Sequence, residues 1–260
     1  MCLHASPTLG SMEQTKFHGK AQAYEAARPG YPAAVIRYIG GLIGGCFSGP
    51  SDAVTIADVG AGTGKFTVPL AGLGLPVYAV EPDADMRGVL TGNVRNLPNV
   101  TVCDGSAEAT SLPSDCVDVI TVAQALHWFS PVTFPLECRH IARGGRYLLI
   151  SLYNVTSFDS AMRPGDECGE RLAGSIKHFD DTKAEFFQNP TVRSFPNPIR
   201  YTRDSWHTYM DSHSHSPLPG DTDYADYHMW VDEIFDARAI DGILTDDTTC
   251  MVANELVRFK

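Results

Sequence analysis

The sequence contains no cluster of lysine and arginine residues that could form a basic patch. Its 260 residues include 20 Lys and Arg against 31 Asp and Glu, which gives a formal net charge of −11. An acidic surface without a local basic patch repels the phosphate backbone of a nucleic acid. We therefore expect no nucleic-acid partner.

Paired cysteines are also missing. The seven cysteines are odd in number and never form a C-x-x-C pair. This spacing argues against a disulfide framework and a structural zinc site, so we expect no metal and a reducing, cytoplasmic compartment. The stretch Asp211-Ser-His213-Ser-His215 is polar and lies close to a proline. We interpret it as an exposed turn rather than a metal site.

Long hydrophobic runs do not occur in the chain. No apolar stretch approaches the roughly 18 residues that a membrane-spanning helix needs, so we expect no membrane partner. Residues 1–12 contain no Lys or Arg and no apolar segment typical of a secretory signal. We expect residues 1–16 to form a disordered tail.

Strand and helix patterns alternate between residues 53 and 152. Short apolar strands are predicted over 53–57, 76–80, 100–103, 116–122 and 146–152. Amphipathic helices are predicted over 20–28, 32–43, 65–73, 84–94 and 131–143. Continuous apolar strands separated by helices are typical of a parallel sheet covered on both faces. The sequence therefore predicts a doubly wound α/β domain.

The regular alternation ends after Tyr153. We predict helices over 185–188, 204–211 and 224–240, and extended segments over 191–202 and 248–259. Eight aromatic residues lie between 195 and 235, about twice the chain average of 10%. This composition favours a lid that closes over an apolar ligand, because ligands of open α/β sheets lie beyond the carboxyl ends of the strands. A small packed subdomain would have the same composition.

Three glycines separate the first predicted strand from the next helix, in the run Asp58-Val59-Gly60-Ala61-Gly62-Thr63-Gly64. Glycine allows a sharp turn there and lets a ligand approach the main chain. The free N–H groups of the following helix favour an electron-rich ligand group. Glu81 ends the second strand, where a carboxylate can accept both hydrogen bonds of a ribose diol. These features predict a cofactor that contains ribose.

The glycine spacing distinguishes two classes of cofactor. Dinucleotide dehydrogenases use G-x-G-x-x-G, whereas this chain has G-x-G-x-G with Asp58 two residues before the first glycine. Followed by Lys65-Phe66-Thr67, the run resembles motif I of class I S-adenosylmethionine-dependent methyltransferases.

Three further segments resemble one branch of that family, which includes ubiquinone/menaquinone and trans-aconitate methyltransferases. Asp104-Gly-Ser-Ala-Glu108 with Leu112-Pro113 resembles the branch's adenine-contacting segment, and residues 123–129 resemble the loop after its fourth strand. Tyr24 and the run Arg28-Pro-Gly-Tyr-Pro32 match the segment that closes over the cofactor. The resemblance covers about residues 17 to 152.

The resemblance implies a seven-stranded Rossmann-like methyltransferase sheet with helices on both faces, a C-terminal lid insertion, and S-adenosyl-L-methionine as cofactor. Residues 17–152 would form the cofactor-binding core with an N-terminal cap helix, and 153–260 the lid together with the last strands of the same sheet. The expected cofactor-binding residues are Tyr24, Arg28, Asp58, Gly60, Ala61, Gly62, Thr63, Gly64, Glu81, Pro82, Met86, Ser106, Ala107, Glu108, Gln124, Ala125 and Trp128. The expected acceptor-binding residues are Tyr31, Tyr153, Arg200, Trp206 and Tyr209.

His127 is the candidate catalytic residue, because it follows the fourth strand at the expected mouth of the site and imidazole titrates near neutrality. The alternative is that His127 only lines the cofactor site, since methyl transfer from a sulfonium depends mainly on in-line positioning. On the predicted helix over 204–211, Trp206 and Tyr209 share one face, with Arg200 and Arg203 close enough to attract an anionic group.

The function predicted from these features is S-adenosylmethionine-dependent methyl transfer to a small-molecule acceptor, with a small carboxylate or a metabolite oxygen favoured. Two alternatives stay open. One is a nicotinamide-dependent oxidoreductase on the same architecture. The other is a non-catalytic protein that keeps the fold and binds the cofactor without turnover.

Overall fold

A computed structural model describes residues 21–47, 54–156, 168–213 and 216–260. The expected tail over 1–16 lies outside these ranges, and so does His215 of the polar run that follows Asp211.

Within the residues that the structure describes, seven strands form the main sheet and two short strands form a second one. The strands are β1 (Ile56–Val59), β2 (Val77–Val80), β3 (Val100–Cys103), β4 (Val119–Ala123), β5 (Arg146–Val155), β6 (Thr191–Pro196), β7 (Ile199–Tyr201), β8 (Leu244–Asp246) and β9 (Thr249–Arg258). The main sheet has the order β3-β2-β1-β4-β5-β9-β6, and β7 pairs with β8. The predicted seven-stranded, Rossmann-like sheet is thus confirmed.

Strands β1 to β5 are parallel, and β9 runs antiparallel to its neighbours β5 and β6. Asp58 lies opposite Ala79 of β2 and Thr121 of β4 in the central registers. Because parallel strands end at the same edge, the loops after β1, β2, β4 and β5 meet there. That edge is where ligands of open α/β sheets bind.

The helices largely follow the apolar periodicity of the sequence. They are α1 (Ala21–Ala27), α2 (Ala33–Cys46), α3 (Thr67–Ala71), α4 (Ala84–Val94), α5 (Phe134–Ile141), α6 (Cys168–Phe186), α7 (Arg203–Asp211) and α8 (Tyr224–Arg238). Asp83 caps the N-terminus of α4, since its Oδ1 accepts a hydrogen bond from the Met86 amide at 2.9 Å.

Two helix predictions were wrong. Helix α2 continues past its predicted end at residue 43, through Gly44 and Gly45. It ends at Cys46, where the Phe47 amide donates to the Ile43 carbonyl. Buried Val35, Ile39 and Ile43 hold this helix against the sheet, and their burial outweighs the modest cost of glycine in a helix. Of α6, only the last residues were predicted as helical.

The main sheet is covered on both faces. On one face, Ile39 of α2, Leu70 of α3 and Phe66 just before α3 pack on the strands. On the other face, Phe134 and Ile141 of α5 do so. A fully buried side chain of this size contributes about 1.5–3 kcal/mol, which fixes the sheet as a rigid base for the loops at its edge.

Residues 197–246 apart from 214 and 215, which are part of the predicted lid region over 153–260 and are called the lid below, have a core of their own. This core lies between α7, α8 and the two-stranded sheet and consists of Tyr201, Trp206, Tyr209, Met210, Trp230, Val231, Phe235 and Leu244. The indole N–H of Trp206 donates to the Val231 carbonyl at 3.0 Å. The aromatic residues therefore pack together as a small subdomain, as the sequence allowed, rather than forming a loose apolar cap.

Helix α1 packs against α7 of the lid and also against α4 beside the main sheet. It therefore connects the lid to the edge of the sheet where the glycine turn lies. Within the described ranges, no helix is long and apolar enough to cross a membrane.

Candidate active site

The glycine turn follows β1 with all three glycines in the left-handed region. Their φ angles are 71° for Gly60, 57° for Gly62 and 90° for Gly64. A Cβ atom on Gly60 would lie 2.8 Å from the Ala125 Cβ, and one on Gly64 would lie 2.7 Å from the Leu90 Cδ1. A Cβ on Gly62 would meet no atom within 4 Å. Two glycines thus serve the packing of the turn, and Gly62 faces open space.

Glu81 lies beside Gly62 at the end of β2. Its carboxylate accepts hydrogen bonds from the Gly62 amide at 2.7 Å and from the Asp83 amide at 2.9 Å, one on each oxygen. A carboxylate has about four acceptor positions, so two remain for a ligand with adjacent hydroxyl groups. Burial raises the pKa of this carboxyl, and the two backbone amides oppose that change.

Asp58 braces the base of the turn from inside the protein. Its carboxylate accepts hydrogen bonds from the Thr67 hydroxyl at 2.6 Å and from the Thr121 hydroxyl at 2.9 Å. Because the side chain is only 1% exposed, burial raises its pKa from 3.8 to about 6, against the effect of both hydroxyls. Asp58 joins β1 to α3 and β4, which holds the turn in place.

Helix α1 covers the glycine turn. The Thr63 hydroxyl donates to Glu25 Oε2 at 2.5 Å, and Lys65 Nζ lies 3.7 Å from Glu25 Oε1. The Thr63 carbonyl accepts a hydrogen bond from Asn93 of α4 at 2.9 Å. Contacts with two helices therefore hold Thr63 in place. The sequence analysis did not predict the contact between Glu25 and Thr63.

Arg28, just after α1, lies between the aromatic rings of Tyr24 and Tyr209, which are far apart in the sequence. Its guanidinium carbon is 5.3 Å from the ring centre of Tyr24 and 5.6 Å from that of Tyr209. The ring of Tyr201 lies 5.0 Å from that of Tyr209. The Arg28 Nε is buried without a hydrogen-bond partner, and so is the Tyr201 hydroxyl. We call Tyr24, Arg28, Tyr201 and Tyr209 the arginine cluster.

Electrostatics link this cluster to the glycine turn. Burial raises the pKa of Tyr209 to about 12, and the charge of Arg28 opposes that rise. The ring centre of Tyr31 lies 5.0 Å from that of Phe66, just after the turn. Burial is the main cause that raises the pKa of Tyr31, and the electrostatic effect of Tyr24 adds to it. The structure thus brings the predicted residues Tyr24, Arg28, Tyr31 and Tyr209 to one region.

Two residues of the predicted acceptor site lie elsewhere, and so does Arg203, which was expected to lie close to that site. Trp206 is fully buried in the lid core, so its ring has no surface left for a ligand. Arg200 is exposed on β7, and its side chain points away from buried Tyr201, since neighbouring residues of a strand face opposite sides. Arg203 pairs with Asp232 and Asp236 of α8. Arg28 is the arginine that lies beside Tyr209.

The loop after β4 forms a second part of the site. The ring of His127 lies 4.8 Å from that of Trp128, 6.3 Å from that of Tyr153 and 5.0 Å from that of His178. A pocket opens beside these rings, lined by Gln124, Ala125, Leu126, His127, Ser151, Leu152, Tyr153, Phe179, Thr182 and Lys183. The sequence analysis did not predict that Phe179, Thr182 and Lys183 line this pocket, because it predicted only the last residues of α6 as helical.

Comparisons with known proteins agree with this geometry. Residues 57–150 match the methyltransferase domain family. They contain the glycine turn, Glu81 and the loop after β4. This central segment of the chain is therefore similar to a methyltransferase domain. An uncharacterized methyltransferase of Mycobacterium tuberculosis is 37% identical to it over 135 residues, which cover 52% of this chain and 51% of that protein. The chain thus aligns with about half the length of the curated relatives it matches first.

Longer similarities are weaker. An uncharacterized methyltransferase of Schizosaccharomyces pombe is 27% identical over 201 residues, which cover 74% of this chain and 75% of that protein. A structure provisionally described as a type II methyltransferase from Anaeromyxobacter dehalogenans superposes with a TM-score of 0.59 at 22% identity, over 89% of this chain and 97% of that one. The last similarity shows the fold of the methyltransferase domain.

The expected adenine segment of the methyltransferase domain lies between β3 and β4. Ala107 is buried in the core of the sheet. Glu108 is exposed, and its carboxylate accepts a hydrogen bond from the Ser130 amide at 3.0 Å, while the Ser106 hydroxyl accepts one from the Glu108 amide at 3.3 Å. These bonds tie the segment to the loop before α5.

The remaining expected cofactor residues lie beside β2 and β4. Pro82 follows Glu81, and Met86 is buried in the first turn of α4. Gln124 has a φ of 60°, unusual for a residue other than glycine, and its amide donates to the Leu152 carbonyl. Ala125 approaches the glycine turn at Gly60. All of these lie near the edge of the sheet where the parallel strands end.

The polar run after α7 is not the exposed turn that the sequence analysis expected. Ser212 and His213 are buried, and His213 Nδ1 lies 3.0 Å from the Met210 carbonyl. Local backbone bonds absorb the polar groups of this run. In the part of the chain that the structure describes, no three His, Cys, Asp or Glu side chains are grouped as metal ligands.

Proposed function

We propose that this protein transfers a methyl group from S-adenosyl-L-methionine to a small-molecule acceptor. The observation that carries the proposal is the pairing of Gly62 with Glu81. An open glycine in the left-handed region lies beside a carboxylate that keeps free acceptor positions. A ribose diol fits this arrangement, because its two hydroxyls can donate to the same carboxylate.

When bound, the cofactor supplies a methyl group on a positively charged sulfur, which leaves as a neutral thioether. The chain's own residues position the reactants. Glu81 accepts the ribose hydroxyls, and Asp58 keeps the turn rigid through Thr67 and Thr121. Helix α1 covers the turn through the bond between Glu25 and Thr63. Holding two reactants in line supplies most of the acceleration in such a transfer.

We further propose that the acceptor carries an anionic group, with a small carboxylate favoured, and that Arg28, which the sequence analysis counted among the cofactor-binding residues, recognises it. The buried Nε of Arg28 has an unused donor, and the adjacent Tyr201 hydroxyl has another. Charge-assisted hydrogen bonds from guanidinium to carboxylate are among the strongest in proteins. His127 and Lys183 line the pocket next to β4 and β5, on the side of the sheet edge that the acceptor would reach.

Whether His127 acts as a base depends on the chemistry of the acceptor. A carboxylate already has a lone pair and loses no proton on methylation, so His127 then serves as a wall of the site. An alcohol or amine acceptor would need His127 as a base. The branch that includes trans-aconitate methyltransferases, like the cytoplasmic location, stays a prediction from the sequence.

The test is a pair of binding titrations followed by a screen for turnover. Calorimetry should show S-adenosylhomocysteine binding in the micromolar range and NADH binding far more weakly. Equal or tighter NADH binding would contradict the proposal in favour of an oxidoreductase. Acidic, phenolic and amine metabolites are then screened for release of S-adenosylhomocysteine from S-adenosylmethionine. Tight cofactor binding without release for any class would favour the non-catalytic alternative.

A further inference from the structure

Arg87 lies in the first turn of α4, where a positive charge is unfavourable. The N-terminus of a helix is the positive end of its dipole, so acidic residues suit this end and basic residues do not. Helix α4 follows this rule at its N-cap, Asp83, and at Asp85. Arg87 breaks the rule, although its side chain is only 21% exposed. The stability of the helix therefore does not explain why an arginine lies here.

The guanidinium of Arg87 joins the chain after β2 to the chain after β3. Its Nη1 donates to the carbonyls of Glu81 and Pro82, at 2.9 Å each. Its Nη2 donates to Asp104 Oδ2, also at 2.9 Å. The two hydrogens of one nitrogen thus bind two consecutive carbonyls. The planar guanidinium reaches three acceptors at once, which an ammonium group cannot do in the same geometry.

These contacts hold Glu81 on both sides of its main chain. The Glu81 amide donates to the Cys103 carbonyl at 3.1 Å, where β2 ends beside β3. The Glu81 carbonyl accepts a hydrogen bond from Arg87. The amides of Gly62 and Asp83 orient the carboxylate. Because its main chain is fixed, Glu81 keeps its two remaining acceptor positions in one direction.

The charge of Arg87 also acts on the Glu81 carboxyl. Burial is the main cause that raises the pKa of Glu81, and the hydrogen bonds from the Asp83 and Gly62 amides lower it. The Asp83 carboxylate raises this pKa and Arg87 lowers it. The other titratable side chains on α4, at the end of β3, on β1 and on the turn after β1 are Asp85, Cys103, Asp104, Asp58 and Lys65. Arg87 thus favours the charged form of Glu81, which accepts hydrogen bonds on both oxygens.

We propose that Arg87 is a positioning residue of the ribose site, which holds the main chain of Glu81 and keeps its carboxylate charged for the two ribose hydroxyls. This inference rests on the proposed function, since it assumes that Glu81 binds the ribose of S-adenosyl-L-methionine. In this role Arg87 acts through Glu81 and does not contact the cofactor itself. A residue that only joined α4 to β3 would stabilise the fold without any specific effect on ribose binding.

The test is a double-mutant cycle measured by calorimetry with S-adenosylhomocysteine. Arg87→Met keeps most of the aliphatic stem and removes the guanidinium. In the parent background it should raise the dissociation constant about tenfold, as for the loss of one hydrogen bond to a charged group. In the Glu81→Ala background, where the ribose contact is already lost, it should change the constant by about twofold or less. Equal losses in both backgrounds would overturn the proposal.

Arg95→Met is the matched control. Arg95 is an exposed arginine at the other end of α4, where it contacts the Gly92 carbonyl at 3.5 Å. Its replacement should leave the dissociation constant unchanged. A parent protein that does not bind S-adenosylhomocysteine, or an unchanged constant for Glu81→Ala, would contradict the proposed function and this inference together. Weaker binding by Glu81→Ala with an unchanged constant for Arg87→Met would overturn the inference alone.

The pH dependence of binding separates the charge of Arg87 from its geometry. Without this charge the pKa of Glu81 rises further, so the affinity of Arg87→Met relative to the parent should fall as pH decreases from about 8 to about 5. A ratio that is the same at every pH would contradict the proposal.

Arg87→Lys keeps the charge but not the planar group. It should bind S-adenosylhomocysteine more weakly than the parent, by a factor that does not vary with pH. This variant also keeps the test decisive if Arg87→Met does not fold, because a folded Arg87→Lys variant with the affinity of the parent would overturn the proposal.

Discussion

Arg28 and Tyr209 lie against each other although they are far apart in the sequence, with 5.6 Å between the guanidinium carbon and the ring centre. Arg28 follows the helix whose Glu25 accepts a hydrogen bond from Thr63 in the glycine turn, and Tyr209 lies on a lid helix. One short N-terminal segment therefore contacts the turn and the lid at once. A ligand bound beneath it would be enclosed by both.

The ribose prediction concerns Glu81. Replacement by Ala should weaken binding of S-adenosylhomocysteine, because two hydrogen bonds to a charged acceptor are lost. At about 1.5–3 kcal/mol, the dissociation constant should rise roughly 10- to 150-fold in calorimetry. Asp236→Ala removes an acidic side chain from the lid surface and should leave the constant unchanged. Equal affinity of Glu81→Ala and the parent would show that Glu81 does not hold the ribose.

The glycine turn allows a comparison of two substitutions with the same added atom. Gly62→Ala and Gly64→Ala both place a side chain at positive φ, which costs about 1–2 kcal/mol. Only the second also forces a Cβ to within 2.7 Å of Leu90. Urea unfolding should therefore show Gly64→Ala as the less stable variant.

Binding should separate the two variants differently. The added methyl of Gly62→Ala occupies the open space beside Glu81, so this variant should lose affinity for S-adenosylhomocysteine while it stays folded. Normal affinity in a folded Gly62→Ala variant would contradict the proposed position of the cofactor.

The parts of the site that could be predicted from sequence lie next to regular elements. Asp58 lies near the end of β1, and Glu81 directly follows β2. The apolar runs of both strands are easy to recognise, and the end of a strand fixes where a side chain lies in a parallel sheet. Asp83 follows from the preference of helices for an N-cap acid.

Other parts depend on tertiary contacts that local patterns do not contain. Trp206 and Tyr209 share a helix face, but only the folded lid decides that Trp206 is buried and that Tyr209 meets Arg28. Strand β8 has three residues and too little periodicity to predict. The residues of α6 that contact the His127 loop were not predicted, because the sequence of α6 is polar.

The buried acid at the base of the turn gives a pH prediction. In the folded protein the pKa of Asp58 is about 6, against 3.8 for the ordinary group. Between these values the native state binds more protons than the unfolded chain, so this group's contribution to stability decreases as pH rises. The difference between these two pKa values corresponds to roughly 3 kcal/mol.

Asp58→Asn keeps partners for both hydroxyls, since Thr67 and Thr121 can donate or accept. The variant's free energy of unfolding relative to the parent should therefore increase between about pH 4 and pH 6 and stay constant above. Urea titrations of both proteins across this range measure the difference. A difference that does not vary with pH would contradict a raised pKa at Asp58.

The acceptor prediction compares two arginines. For any carboxylate that the turnover screen identifies, Arg28→Gln should raise the KM by about tenfold or more, because a charge-assisted hydrogen bond is lost. Arg200→Gln removes the same charge from an exposed position on β7 and should leave the KM unchanged. A raised KM for Arg200→Gln together with an unchanged KM for Arg28→Gln would instead place the acceptor near Arg200, on the exposed side of the lid. Cofactor affinity measured in parallel separates an effect on the acceptor from one on the turn.

The last prediction concerns His127, whose ring packs against Trp128 and His178. If the acceptor is a carboxylate, no proton leaves during the transfer, and His127→Ala should keep kcat within about tenfold of the parent. If the acceptor is an alcohol or an amine, loss of a true base should lower kcat by about 10²–10⁴. His178→Ala removes the neighbouring ring and serves as the control for packing. A large fall in kcat for His127→Ala alone, with unchanged cofactor affinity and with a pH profile that loses its acidic limb, would assign the base to His127 and contradict base-free transfer to a carboxylate.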